Sequence, residues 1–179
     1  LLGVAQMTGR GLEQRMTPCL VPETHPLGQL DGGTNMVVIE GDSVGQIVLR
    51  GAGAGEGPTA SAVMSDVIDI ARGMRLPTFG EPAAAMMRAP AAVVSAAAPW
   101  YLRMTLLDKP GALAKIATAL GEAGISIHRM RQYSHDDALA PVLIVTHKAA
   151  SDDIRHALAR FEATGVLVGE PVALRIEEV

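Results

Sequence analysis

With 179 residues, 49% of them hydrophobic, the chain has enough apolar material for one ordinary domain or two small ones and too much for a disordered segment. Its 15 Lys and Arg against 19 Asp and Glu leave a net charge of -4, which gives nucleic acid or an anionic membrane no basic face, and aromatics at 3% leave little for stacking bases. Cys19 has no second cysteine for a disulfide or thiolate metal site, which fits a reducing cytoplasm, and neither a signal-peptide pattern nor an apolar run of the ~18 residues needed to span a membrane is present.

Residues 1–73 read as strands, turns and one helix. Residues 16–21 and 35–40 have the character of short strands, and 45–50 pairs with the latter across the turn Gly41-Asp42-Ser43. The stretch RGAGAGEGPTAS, residues 50–61, follows. Pro58 there takes a first helical position, and Ala60, Val63, Met64, Val67, Ile68 and Ala71 recur at helical spacing up to Gly73. Residues 74–99 turn to proline and alanine, a linker with room for one helical turn.

From residue 100 the periodicity sharpens. Residues 100–107 read as a strand, Asp108-Lys109-Pro110-Gly111 as a turn, and 112–122 as a helix with Leu113, Ile116, Ala117 and Leu120 on one face, closed by Gly124. A strand over 125–133, a loop over 134–140 and a strand over 141–147 come next. Ser151 suits a helix N-cap, with Ile154, Leu158 and Phe161 turned inward up to Ala163, and a last strand over 166–177 bends at Pro171. The order β-α-β-β-α-β is the ferredoxin-like split motif, so the expected class is α+β. Its two helices cover one sheet face; the other face needs cover, which favours a dimer or docking onto another domain.

Chemistry is sparse. Glycines followed by a helix start bring backbone N–H groups and a positive dipole end to one place, suited to a phosphate, a carboxylate or a ribose. The run is no Walker loop, since Thr59 follows Pro58 rather than Lys, and the alternation of Gly51, Gly53 and Gly55 is a poor dinucleotide fingerprint. A plain structural turn and a ligand loop both remain open. The turn from Asp108 to Gly111 can likewise serve a carboxylate or merely reverse the chain. His25, His128, His135, His147 and His156 lack metal-ligand spacing, Arg129 and Arg131 can meet an anion or solvate an edge, and Asp66 with Asp69 reads as a solvated helix flank. No nucleophile–base pair and no self-contained active site can be assembled, so the expectation is no catalytic residue and no metal site in this chain.

Two stretches nevertheless carry a specific resemblance. VVIEGDSVGQIVLRGAGAGEGPTASAVMSDVIDIARG, with the segment upstream of it, resembles the end of the catalytic domain of homoserine dehydrogenase, and YLRMTLLDKPGALAKIATALGEAGISIHRMRQ with PVLIVTHKA resembles the ACT domain that many bacterial members carry. The resemblance implies the end of a mixed-sheet catalytic and dimerisation domain over 1–73, a linker over 74–99 and an amino-acid-binding regulatory domain over 100–179. It implies an enzyme that interconverts L-homoserine and L-aspartate 4-semialdehyde with NAD or NADP, on the route to threonine, methionine and isoleucine, in the cytoplasm. Gly51, Gly53 and Gly55 match the loop that approaches the cofactor, and Pro58, Thr59 and Ser61 match the start of the following helix. Asp108, Lys109, Pro110, Gly111 and Ala112 match the regulatory ligand loop, Ile125, Ser126 and Ile127 match the strand on which a neighbouring domain packs, and Gln132 follows the same pattern. The implied partners are further copies, as a dimer or tetramer, and an amino acid, with threonine expected. The chain departs from the family in lacking the nucleotide-binding fingerprint and the catalytic lysine segment, its first lysine being Lys109, and it starts without Met inside an apolar run. It is therefore expected to be inert alone, as a C-terminal part of an oxidoreductase. The competing reading is a non-enzymatic amino-acid sensor that dimerises.

Overall fold

The structure, a computed structural model, describes residues 1–76, 79–133 and 138–178. Its first strands are β1 (Leu2–Thr8) and β2 (Gly11–Thr17), an antiparallel hairpin in register from Leu2 opposite Thr17 to Thr8 opposite Gly11. The expected strand over 16–21 is in fact two pieces, because Pro18 has no N–H for a ladder and divides β2 from the short β3 (Cys19–Leu20). Most of β2 escaped the sequence pattern for a physical reason: Gly11 and Glu13 are buried and Arg15 half-buried, while Met16 is exposed. Its inward face is charged and its outward face partly apolar, the reverse of the usual strand alternation.

β4 (Thr34–Gly41) and β5 (Gly45–Ala52) form the expected hairpin. After it, α1 (Glu56–Ala71) begins two residues before Pro58, which thus lies in the first turn, where a missing N–H leaves no hydrogen bond unmade. α1 ends before Gly73, at φ +79. In the linker the helical turn is a 3₁₀ turn at Ala83–Ala85. The end of the linker is tied down, with Leu12 N–H donating to the Pro90 carbonyl at 2.7 Å and Ala92 N–H to the Leu12 carbonyl at 2.9 Å.

β6 (Trp100–Leu107), α2 (Ala112–Glu122), β7 (Ile127–Gln132), β8 (Leu139–Thr146), α3 (Ser151–Ala163) and β9 (Leu167–Ile176) complete the split β-α-β-β-α-β motif. β7 starts two residues later than expected because Ile125 N–H still bonds to the Leu120 carbonyl at the end of α2. Residues 134–137 of the expected loop, His135 among them, lie outside the described residues, and β8 starts at Leu139, ahead of the expected boundary. Ala150, not Ser151, precedes the first helical residue of α3, and its side chain offers no cap, whereas Asp152 and Asp153 do occupy the first turn. β9 bulges opposite Arg103 and Thr105, where Gly169 takes φ +72 and Pro171 needs no ladder partner.

The sheet has five strands, in the order β3-β9-β6-β8-β7, one more than the motif requires, because β3 pairs in parallel with β9. Leu102, Met104 and Leu106 of β6 and Val142 and Ile144 of β8 alternate inward against Ile116 and Leu120 of α2 and Ile154 and Phe161 of α3. Fully burying side chains of this size contributes about 1.5–3 kcal/mol each. The opposite sheet face carries Arg103 on β6 and Leu143 on β8 in register with Arg131 of β7.

Packing groups the chain differently from composition. One compact unit joins Leu1–Val21 to the chain from Pro90 onward, and the other is Pro22–Ala89. The first 21 residues thus share a unit with the split motif, and β3 is part of its sheet.

Candidate functional site

The glycine loop joins β5 to α1. Gly51 is the penultimate residue of β5, opposite Asn35, and a Cβ there would meet only open space. At Gly53 a Cβ would fall 1.4 Å from Asn35 Nδ2, so the absence of a side chain makes room for Asn35. Gly55, with φ 115 and ψ 157, precedes the first helical residue and has no side chain to cap it. Thr59 N–H donates to the Gly55 carbonyl at 3.2 Å, leaving the earlier amides of α1 pointing outward without intrahelical partners. Gly55, Glu56, Thr59, Ala60, Val63 and Met64 line an open groove of about 540 Å³. Beside a nicotinamide nucleotide this loop fits as a wall of backbone: it presents close-approach glycines and free amides, but the one charged side chain lining the groove is the acidic Glu56. Such a wall suits a ribose or an uncharged ring better than a diphosphate.

The second candidate is the turn between β6 and α2. Asp108 N–H donates to the Ala138 carbonyl at 2.9 Å, Lys109 N–H to the Leu107 carbonyl at 2.9 Å, and Ala112 N–H to the Lys109 carbonyl at 3.0 Å. Gly111 precedes α2 at φ 81 without a side-chain cap, so the start of a well-formed helix is open at the turn. Pro110 and Gly111 are exposed and Ala112 is buried beneath them. Gln132 closes β7 opposite Val142, towards the β8 end that receives this turn. Ile125 is buried, Ser126 is exposed and accepts a bond from His147 N–H at 2.8 Å, and Ile127 opens β7 opposite Thr146. The Asp108–Ala112 turn thus falls at the start of β8 and Ile125, Ser126 and Ile127 at its end, roughly 20 Å apart at the rise of a strand, with Gln132 between them opposite Val142. β7 is an edge strand whose residues beyond Ile127 are exposed.

Among the described residues no group of three His, Cys, Asp or Glu could hold a metal ion, and no helix is long and apolar enough to cross a membrane. His128 and His147 meet edge to face at 4.9 Å, and the Arg131 guanidinium sits 4.5 Å over the Tyr133 ring.

An ionic network was not legible in the sequence. Arg15 donates Nε to Glu13 at 2.8 Å and its two terminal nitrogens to the two Glu177 oxygens at 2.7 and 2.8 Å, while Arg175 Nε donates to Glu177 Oε1 at 2.7 Å. Ala96 N–H donates to Glu13 Oε2 at 3.1 Å. Burial works to raise the pKa of Glu13, but hydrogen bonds from Arg15, the Ala96 amide and Ser95 outweigh it and hold the carboxyl below its ordinary range. Desolvation likewise opposes the charge on Arg15, and Glu13 with Glu177 overcomes it, so the guanidinium is held more firmly protonated. The only signal in the sequence was Glu13 and Arg15 at every second position of a strand, and nothing there pointed to Glu177.

The split motif, its open turn and its exposed edge strand define the fold class of the ACT domains, here preceded by a glycine-loop segment. Residues 100–166 match the family model for the ACT domain, and residues 1–68 match the one for homoserine dehydrogenase. The chain is thus similar to homoserine dehydrogenases over its first segment and to ACT domains over its second. It is 36% identical over 187 residues to the homoserine dehydrogenase of Pseudomonas aeruginosa, covering 99% of this chain and 43% of that protein. The Neisseria gonorrhoeae homoserine dehydrogenase is also 36% identical, with 100% of this chain and 43% of that protein covered. The crystal structure of a homoserine dehydrogenase from Thiobacillus denitrificans superposes with a TM-score of 0.80 at 30% identity, over 98% of this chain and 41% of that one. The chain therefore spans about two-fifths of the length of these relatives.

Proposed function

We propose that this chain belongs to an oxidoreductase that interconverts L-homoserine and L-aspartate 4-semialdehyde with NAD or NADP, and that its second half senses an amino acid. The observation that carries this reading is the succession, on one chain, of a homoserine dehydrogenase segment and an ACT domain. On this reading 1–73 serve the catalytic domain, 74–99 link, and 100–179 regulate. When bound, the nicotinamide ring supplies the hydride acceptor. The loop at Gly51, Gly53 and Gly55 lets that cofactor approach the backbone closely, and the free amides of α1 orient its polar groups. No lysine precedes Lys109, so proton transfer and substrate binding fall to residues outside this chain. The purified chain, given homoserine and NADP or NAD, is expected to produce no reduced cofactor at 340 nm, while a full-length relative does; turnover by the chain alone would overturn this assignment.

For regulation, Asp108 to Ala112 with Gln132 hold the ligand's carboxylate and amino group, and Ile125, Ser126 and Ile127 of a second copy complete the site across paired β7 edges in a dimer or tetramer. The distance between the two groups of residues within one copy favours this. Threonine, as the end product of the route, is the expected ligand in a cytoplasmic enzyme. Isothermal titration with threonine should give saturable binding that Gly111→Val abolishes, since a side chain at φ 81 reshapes the turn; binding unchanged in the variant rejects the site. The alternative, a non-enzymatic sensor, draws on the completeness of the split motif beside a first segment without lysine. Threonine binding by a full-length protein that shows no dehydrogenase activity with homoserine and NAD or NADP would select it.

A further inference from the structure

A second cavity, of about 310 Å³, lies at the other end of the split motif from the Asp108 turn, where the first 21 residues meet the sheet. Arg15, Thr17, Trp100, Ser151, Leu174 and Arg175 are among the residues that line it. Two of them are left incomplete: Thr17 Oγ1 and Arg175 Nη1 are buried and have no hydrogen-bond partner among the described residues. The Arg175 side chain is only 8% exposed. A buried guanidinium nitrogen without an acceptor is costly, because desolvation is not offset by a bond. The neighbouring charges do not supply one. Arg15 spends all three donor nitrogens on Glu13 and Glu177, and Glu177 already accepts from both arginines. Ser151 opens α3, a helix of 13 residues whose first amides have no side-chain cap, so the dipole end at this wall also favours an acceptor.

The charge balance limits what fits. Arg15 and Arg175 are matched by Glu13 and Glu177, and Asp152 and Asp153 stand in the first turn of α3, Asp152 paired with Arg155. A multiply charged anion would be repelled, whereas one carboxylate can be met by Arg175 and Thr17. Trp100 and Leu174 offer an apolar surface to the remainder. We propose that this cavity binds a small organic monocarboxylate with a short aliphatic chain, its carboxylate taken by Arg175 and Thr17 and its chain laid on Trp100 and Leu174. The site is separate from the Asp108 turn: Trp100 and Leu107 are opposite ends of β6.

Trp100 is the sole tryptophan and therefore a built-in reporter. The 179-residue chain is titrated with sodium butyrate at constant ionic strength, with butyramide and sodium chloride as controls, and its emission is followed. The expected result is a saturable shift with butyrate, with affinity about tenfold weaker in Thr17→Val, from the loss of one charge-associated hydrogen bond, and unchanged in Gly111→Val. Arg175→Met should abolish the shift; because it also strips a partner from Glu177, circular dichroism checks its fold, and Thr17→Val decides if it unfolds. The proposal is overturned by no saturable response up to about 50 mM, well past millimolar affinity. It is equally overturned by an equal response to butyramide or chloride, or by undiminished binding in Thr17→Val, in which case water alone serves the two buried atoms.

Discussion

At Gly11 the backbone adopts φ +116, and a Cβ would fall 2.5 Å from the Pro90 carbonyl oxygen. Neither a flexible side chain nor empty space relieves that clash, so Gly11→Ala should cost about 2 kcal/mol or more, while Gly9→Ala, with nothing within 4 Å, should stay within about 0.5 kcal/mol. Urea denaturation of the two variants checks the contrast. Glu13 gives a pH dependence with a definite sign. Its folded pKa lies below the ordinary 4.5, so its contribution is present above that value and is lost as pH falls through the folded one. Glu13→Gln should therefore be less stable than the parent at pH 7, and the gap should narrow towards pH 3; a gap that widens in acid contradicts the network. Burial, followed by the nearby Glu177 charge, pushes the Cys19 thiol up. Its alkylation at pH 7 should be slow and should accelerate when urea opens the fold.

Among the elements, those whose pattern follows burial were readable. The two helices of the split motif and β6 recur or alternate as their buried faces require, and α2 matches its expected bounds residue for residue; β4 and β5 were readable from strand-forming residues on either side of a turn, although β5 is exposed along its whole length. Most of β2 did not announce itself, because an inward face of Glu13 and Arg15 erases the apolar period, and β3, which lies inside the strand expected over 16–21, gave no sign of its pairing because the partner of Leu20 is Ile176, far along the chain. The glycine loop and the Asp108 turn could be found because local residues make them. The cavity under Trp100 could not, because residues from four distant segments meet there. The same network separates two kinds of ion pair. Glu177→Ala leaves Arg15 and Arg175 buried with donors unmet and should cost about 3 kcal/mol. Glu178→Ala breaks only a pair with Lys148 whose side chains are 57% and 63% exposed, and should cost less than about 1 kcal/mol. Chemical denaturation of both variants tests the ranking.

For the molecule as a whole, the family boundaries and the packing boundaries part company. Residues 1–68 and 100–166 match two different families, yet β3 of the first extends the sheet of the second, and Arg15 of the first is held by Glu177 beyond it. The first 21 residues of one matched segment are thus packed into the unit that holds the other. A recombination event that transplants only the stretch from residue 100 onward into another enzyme leaves behind the strand that covers the edge of β9. Its recipient acquires a buried carboxylate stripped of the guanidinium that held both its oxygens, so successful grafts of this module should carry a copy of the Gly11–Leu20 segment with them.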